Sequence, residues 1–112
     1  MRAWSAALNR NDNAAAAALF AHDARIVQGP LDVRLTSRRL ALAFNASLPC
    51  SGTVVSMSVD GSVVTAIFKL GERPKHVCDG PGQKAAAQFV VENGKIVLWQ
   101  QLSLPAGSSA TA

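Results

Sequence analysis

The residues most able to do chemistry in this sequence stand together between two β-rich runs. His76, Cys78 and Asp79 fall within four positions of one another. A histidine beside a carboxylate is a typical general base, because the carboxylate fixes the tautomer of the imidazole. We therefore predict acid–base chemistry by His76 with Asp79. The alternative is a solvated loop in which Asp79 and Gly80 form a turn.

Asp32 is the second candidate for acid–base chemistry. It stands two positions before Arg34 in a run where apolar and polar residues alternate. Residues two apart share one face of a strand, so these two side chains can act together. The spacing of the histidine, cysteine and aspartate residues matches no standard zinc pattern. We therefore predict no metal and no cofactor.

Cys50 and Cys78 are the only cysteines. They flank two predicted strands that a tight turn at Asp60-Gly61 joins, so both lie at the same end of the sheet. A disulfide between them is geometrically possible and would stabilise the fold by roughly 3 kcal/mol, because it restricts the unfolded chain. A reducing compartment argues against the bond. The alternative is a buried thiol at Cys50 and a loop thiol at Cys78.

Helical periodicity and capping residues predict three helices. Apolar residues at spacings of three and four mark the first and third helices, and a run of five alanines marks the second. Asn11 or Asp12 can cap the second helix, and Thr36 or Ser37 can cap the third. Pro49 lies beyond the end of the third helix. The predicted helices cover residues 1–8, 13–20 and 37–47.

Alternating and β-branched runs predict six strands, at residues 24–28, 31–35, 53–59, 62–70, 84–92 and 95–102. Asp60-Gly61 and Asn93-Gly94 are strong signals for two-residue hairpin loops. The connection over 71–83 is long and rich in glycine, proline and charge, as functional loops often are. The order α-α-β-β-α-β-β-β-β predicts an α+β domain, in which helices pack on a curved antiparallel sheet.

A twisted sheet that wraps over a helix closes a cone, and the mouth of such a cone is a default ligand site. Gln88 and Gln100 are polar residues within apolar runs, and Gln28 ends the first predicted strand. These glutamines either orient a ligand by hydrogen bonds or face solvent. The rings of Trp4 and Trp99 either line the cavity or an interface, or pack in the core. The predicted ligand-binding residues are Gln28, Gln88, Trp99, Trp4 and Phe44.

Three short segments resemble the nuclear transport factor 2-like (SnoaL-like) superfamily. Trp4 followed by residues 9–12 resembles the end of the family's first helix, with Asn11 where the family usually has glycine. Residues 19–26 resemble the family's entry into its first strand, and residues 93–99 its final hairpin. The resemblance implies a cystatin-like cone. The family includes isomerases, cyclases and domains that only bind or dimerise. Its isomerase pattern needs a tyrosine, and this sequence contains none.

Together these observations predict one domain over residues 1–102 and a flexible tail over residues 103–112. We predict that the cavity of the domain binds a small, mostly apolar molecule, with acid–base chemistry left open. The alternative function is a non-catalytic dimerisation or protein-interaction module. The resemblance also implies a homodimer, because members of the family commonly pair through the outer face of the sheet.

Composition excludes some partners. The net charge is +4, but the basic residues are scattered and no aromatic residues are interleaved with them, which argues against nucleic-acid binding. No run reaches the ~18 consecutive apolar residues of a membrane span. The first residues do not have the pattern of a secretory signal, so we predict a cytoplasmic location unless the natural chain begins earlier.

Overall fold

The computed structural model describes residues 2–103, so the predicted tail lies outside the described residues except for Ser103. Helices and strands follow one another in the predicted order, and the predicted α+β class is confirmed. No helix in this part of the chain has the length and apolar character needed to cross a membrane. The elements are α1 (Arg2–Asn9), α2 (Asn13–Ala18), β1 (Phe20–Gln28), β2 (Leu31–Leu35), α3 (Arg38–Ser47), β3 (Ser51–Asp60), β4 (Val63–Gly71), β5 (Lys84–Glu92) and β6 (Lys95–Leu102).

Side-chain caps fix where α2 and α3 begin. The carboxylate of Asp12 accepts a hydrogen bond from the backbone N–H of Ala15 at 3.0 Å. The hydroxyl of Ser37 accepts one from the backbone N–H of Leu40 at 3.2 Å. Each cap satisfies a donor that the first helical turn leaves without a partner. Asp12 and Ser37 are therefore the capping residues among the alternatives that the sequence left open.

β1 begins earlier than predicted. The sequence predicted a strand that begins at residue 24, but residues 21–23, which include the turn former Asp23, already lie inside the strand. Asp23 has a positive φ of 64°, and the pairing of β1 with β6 shifts register between Phe20 and Arg25. The turn-forming residue therefore makes an irregularity within the strand and does not end it. This early start also makes α2 two residues shorter than predicted.

The strands form one sheet in the order β2-β1-β6-β5-β4-β3. All neighbouring pairs are antiparallel except β1 and β6, which are parallel. The sheet is therefore mixed, and the prediction of a wholly antiparallel sheet was wrong in this respect. The hairpin signals in the sequence describe only strands that follow each other. They give no direction for a pair formed between the first strand and the last.

Strand pairing assigns the two faces of the sheet. Trp99 on β6 pairs with Phe89 on β5 and with Ile26 on β1, and all three are buried against the helices. The neighbouring residue Leu98 pairs with Arg25, whose side chain is exposed. Opposed residues in a pair share a face. We call the face with Trp99 the inner face and the face with Leu98 the outer face.

Aromatic rings fill much of the space between the inner face and the helices. The ring centroid of Trp4 on α1 lies 5.5 Å from that of Phe89, 5.9 Å from that of Phe68 and 6.1 Å from that of Trp99. The indole N–H of Trp4 donates a hydrogen bond of 2.8 Å to the side-chain oxygen of Asn45 on α3. Trp4 therefore joins two helices to three central strands.

We expect the Trp4–Asn45 bond to matter for stability. Asn45 is fully buried, so Asn45→Ala leaves the indole N–H of Trp4 without an acceptor and should lower the free energy of unfolding by about 2 kcal/mol. Urea unfolding measures the change. Asn9→Ala is the matched control and should cost less, because the bonds of Asn9 to Gly52 are exposed and water can replace them. Equal losses in the two variants would contradict this account.

Candidate functional site

A cavity of about 60 Å³ lies between α1 and the inner face of the sheet. Its buried side chains include Trp4, Leu8 and Trp99, and they are mainly apolar. Its half-buried polar side chains include Gln28 and Gln101. Ligand pockets usually measure roughly 300–1,000 Å³. The aromatic rings therefore leave space for a small chemical group, and the two glutamines stand where the cavity approaches solvent.

The structure brings only part of the predicted ligand-binding set together. Gln28, Trp99 and Trp4 line the cavity. Phe44 lies in the core instead, with its ring centroid 5.2 Å from that of Trp99. Gln88 lies on the outer face, one position before the inward-facing Phe89, and donates a 3.3 Å hydrogen bond to the hydroxyl of Thr65. Gln88 therefore points away from the cone interior and does not line the cavity.

Sequence reasoning did not select Gln101 or the serines of the cavity lining. Gln101 stands two positions after Trp99, so period two places both residues on the same face of β6. The sequence therefore indicated that Gln101 shares a face with Trp99, but it did not show which face of the sheet is the inner one. Ser5 lines the cavity from α1, and its hydroxyl donates to the backbone oxygen of Gly52. Ser51 lines it from β3.

The two tryptophans of the cavity differ in their hydrogen bonding. The indole N–H of Trp4 has Asn45 as its acceptor. The indole N–H of Trp99 is buried and has no acceptor among the described residues. Buried donors nearly always have a partner, either in the protein or in bound water. The Nε1 atom itself is fully buried, so the ring of Trp99 lines the cavity without presenting its N–H group to it.

The predicted His76–Asp79 pair does not form. The Nδ1 atom of His76 lies 2.8 Å from the backbone oxygen of Pro74, and its Nε2 atom lies 2.9 Å from that of Ala46 on α3. Both partners are backbone carbonyl oxygens, which only accept hydrogen bonds. Asp79 is exposed, and neither residue lines the cavity. The imidazole therefore attaches the loop to α3, and this geometry does not present it as a base.

Asp32 also lies away from the cavity. Its carboxylate accepts two hydrogen bonds from the guanidinium of Arg25, at 3.0 and 2.8 Å, on the outer face of the sheet. The hydrogen bond from Arg25 holds the pKa of Asp32 below its ordinary value. The predicted partner Arg34 donates instead to the backbone oxygen of Asp23. Asp32 is thus an exposed ion-pair residue that links β1 and β2.

Arg73 is a residue of the long loop that sequence reasoning did not select. Its side chain is 2% exposed. Its Nη1 atom donates to the backbone oxygens of Asn45, at 2.7 Å, and Leu48, at 2.6 Å, and its Nη2 atom donates to the side-chain oxygen of Asn13. Burial lowers the pKa of Arg73. The guanidinium satisfies carbonyl groups at the end of α3, where a positive charge is favourable.

Cys50 and Cys78 are joined by a disulfide, with their Cα atoms 4.8 Å apart. The bond packs in a small apolar cluster with Leu70 and Ala85. Cys50 also lines the cavity. The loop over 72–83 is therefore held by Arg73, His76 and the disulfide. No three His, Cys, Asp or Glu side chains in residues 2–103 come together as metal ligands would.

Comparison with known proteins identifies the fold. No protein-family model and no curated protein sequence matches the chain. A nuclear transport factor 2-like protein of unknown function from Cytophaga hutchinsonii matches with a TM-score of 0.71 and 15% identity, over 89% of this chain and 82% of that chain. A protein with a ketosteroid isomerase-like fold from Catenulispora acidiphila, in complex with trimethylamine, matches with a TM-score of 0.71 and 20% identity, over 95% and 85%.

A third solved structure supports the same architecture. An uncharacterised cystatin-fold protein from Novosphingobium aromaticivorans matches with a TM-score of 0.70 and 15% identity, over 90% of this chain and 92% of that chain. At these identities the similarity defines the fold and leaves the activity open. The chain therefore has the nuclear transport factor 2-like, cystatin-like fold that the sequence predicted.

We expect the disulfide to contribute measurably to stability. Replacing both cysteines, Cys50→Ser with Cys78→Ser, should lower the free energy of unfolding by about 3 kcal/mol, because the bond closes a separation of 28 residues. Urea unfolding with and without dithiothreitol measures the effect. The reductant should destabilise the natural chain by a similar amount and leave the double variant unchanged. Two reactive thiols in the native, unreduced protein would contradict the bond.

Proposed function

We propose that this protein binds a small, mostly apolar molecule in the cone. The observation that carries the proposal is the cavity itself, whose buried lining is mainly apolar and whose half-buried lining includes Gln28 and Gln101. Such a combination is typical of small-molecule sites, in which apolar contact supplies affinity and a few polar groups orient the ligand. The small volume favours a ligand that inserts one narrow end.

Binding without turnover is the form of this function that we favour. The residues predicted to do acid–base chemistry lie elsewhere: His76 and Asp79 on the loop, and Asp32 on the outer face. A general base must come within hydrogen-bond reach of the proton that it removes, directly or through one water. The side chains that line the cavity are neutral. A bound molecule would therefore contact neutral hydrogen-bonding groups and aromatic rings, and no acid or base.

The cellular location stays a prediction. The sequence predicted the cytoplasm, where thiols are usually kept reduced. The Cys50–Cys78 bond favours an oxidising compartment instead. Counting the free thiols of the protein isolated from its natural source tests the prediction: no free thiol indicates an oxidising compartment, and two indicate a reducing one.

We expect 2-methylbut-1-ene, a compact and uncharged probe, to bind in the cavity. Titration of ¹⁵N-labelled protein should give saturable shifts of amides that line the cavity. Ala87→Leu should weaken binding at least tenfold, because Ala87 is buried on the inner face and its added methyl groups occupy the space. Ala85→Leu is a second variant of the same kind.

Ala43→Leu is the matched control, because Ala43 is exposed on α3 and the same added groups meet solvent there. This variant should bind the probe as the natural chain does. Thermal unfolding of all three variants reports whether each remains folded. An absence of saturable shifts in the natural chain, at probe concentrations up to its solubility, would overturn the proposed function.

The second candidate function is a homodimer that forms through the outer face. Four apolar residues on neighbouring strands of this face are half-buried in the single chain: Ile67, Val90, Leu98 and Leu102. Scattered apolar residues are normal on a surface, but a patch that continues across several strands is typical of an interface. This face points away from the cavity, so a dimer and a bound ligand are compatible.

We expect the dimer to depend on Leu98. Sedimentation velocity of the natural chain should show association that increases with protein concentration. Leu98→Lys places a charge at the centre of the patch and should shift the protein to monomer. Val59→Lys is the control, because Val59 is exposed on β3 outside this patch and should leave association unchanged. A monomer at all concentrations would contradict this candidate.

A further inference from the structure

A second cavity lies outside the cone and is open to solvent. It measures about 300 Å³ and is formed where the ends of α2 and β2 meet the beginnings of β1, α3 and β6. We propose that this cavity binds a small carboxylate with a short apolar chain, and that Arg38 and Lys95 pair with the carboxylate group. The two cavities share no lining residue, so the inference does not depend on the proposed function of the cone.

The first step is the charge of the cavity. Arg38 on α3 and Lys95 on β6 are far apart in sequence, but the fold brings both side chains to the lining. None of the described residues that line this cavity is acidic. His22 also lines it, and its Nε2 atom lies 3.5 Å from the Oδ2 atom of Asp23, which offsets part of the positive charge. The two permanent cations still leave the cavity net positive, which favours an anion.

The second step is the supply of hydrogen-bond donors. The guanidinium of Arg38 has no hydrogen-bond or ion-pair partner among residues 2–103, so its N–H groups remain available. The Nζ atom of Lys95 donates to the backbone oxygen of Ala18 at 2.6 Å, which uses one of its three donors. The register pairs Lys95 with Glu92, but this bond directs the ammonium group towards α2. Hydrogen bonds from such cations to a carboxylate are stronger than those between neutral groups.

The third step is the apolar floor. Phe20, Leu35 and Ala41 line the cavity and keep 7%, 4% and 6% of their surface exposed. A hydrocarbon chain that covers this surface is removed from water, which is favourable in proportion to the apolar area buried. An inorganic anion has no such chain. The combination of cations with an apolar floor therefore favours a carboxylate that carries a chain over phosphate.

The fourth step is size. Ligand pockets usually measure roughly 300–1,000 Å³. The second cavity, at about 300 Å³, reaches the lower end of this range, whereas the cavity of the cone is about 60 Å³. The volume is sufficient for a small molecule and limits the length of its chain. We therefore expect a short-chain carboxylate such as pentanoate to bind.

Pentanoate and pentanamide test the inference, because the two molecules have nearly the same shape and differ in charge. Titration of ¹⁵N-labelled protein with pentanoate should give saturable shifts of the backbone amides of Arg38 and Ala41. We expect pentanoate to bind roughly 3- to 10-fold more tightly than pentanamide at low salt, as pairing with exposed cations would give. Sodium chloride should reduce this preference, because exposed charges are screened. Inorganic phosphate should bind more weakly than pentanoate.

Arg38→Gln removes a charge and a donor from the lining. Because the side chain of Arg38 is exposed and has no partner among the described residues, this variant should stay folded. Its affinity for pentanoate should fall at least threefold, and its preference over pentanamide should decrease.

Arg39→Gln is the matched control. It removes the same charge from the next residue, which is exposed and does not line the cavity. Its affinity for pentanoate should stay within about twofold of that of the natural chain, because solvent and salt screen a charge that makes no direct contact. Thermal unfolding of both variants reports whether each remains folded.

The outcomes separate this inference from the proposed function. Equal binding of pentanoate and pentanamide, or equal losses in the two arginine variants, would overturn the inference. Pentanoate shifts confined to amides that line the cone would also overturn it, because they would place the carboxylate in the other cavity. The uncharged 2-methylbut-1-ene tests the cone separately, so its result leaves this inference unchanged.

Discussion

The packing of Trp4 against the centre of the sheet is the interaction on which the rest of the structure depends. A curved sheet has to cover its concave face, and the rings of Trp4, Phe68, Phe89 and Trp99 do so in mutual edge or tilted contact. Because Trp4 also bonds Asn45, the positions of α1 and α3 follow from the same side chain. The size of the cavity is a further result of this packing, because the rings occupy most of the cone.

The long loop is attached to the rest of the domain at three points. Arg73 bonds carbonyl groups at the end of α3, His76 contacts the backbone oxygen of Ala46, and Cys78 is bonded to Cys50. His76, which the sequence suggested as a base, therefore has a structural role in attaching the loop. Irregular loops need such attachments, because their backbone groups have no regular partners and their ordering costs conformational entropy.

Local chemistry was readable from the sequence, whereas long-range placement was not. The hairpin turn at Asn93-Gly94 and the cap at Ser37 follow from residues close in sequence, and the structure has both. The other hairpin also forms, but its two-residue loop is Gly61-Ser62 and not Asp60-Gly61, because Asp60 still pairs with Val63. The outward position of Gln88 depends on which face meets the helices, which period two alone does not decide. The burial of Arg73 depends on carbonyl groups more than twenty positions away.

The parallel pairing of β1 with β6 has a consequence for how the protein is made. β1 is among the first elements of this domain to be synthesised, and the strand that completes its ladder is the last. During translation β1 can pair with β2, but its other edge stays open until β6 emerges. An open strand edge invites pairing with other chains. For that interval the open edge of β1 can therefore pair with strands of other nascent chains.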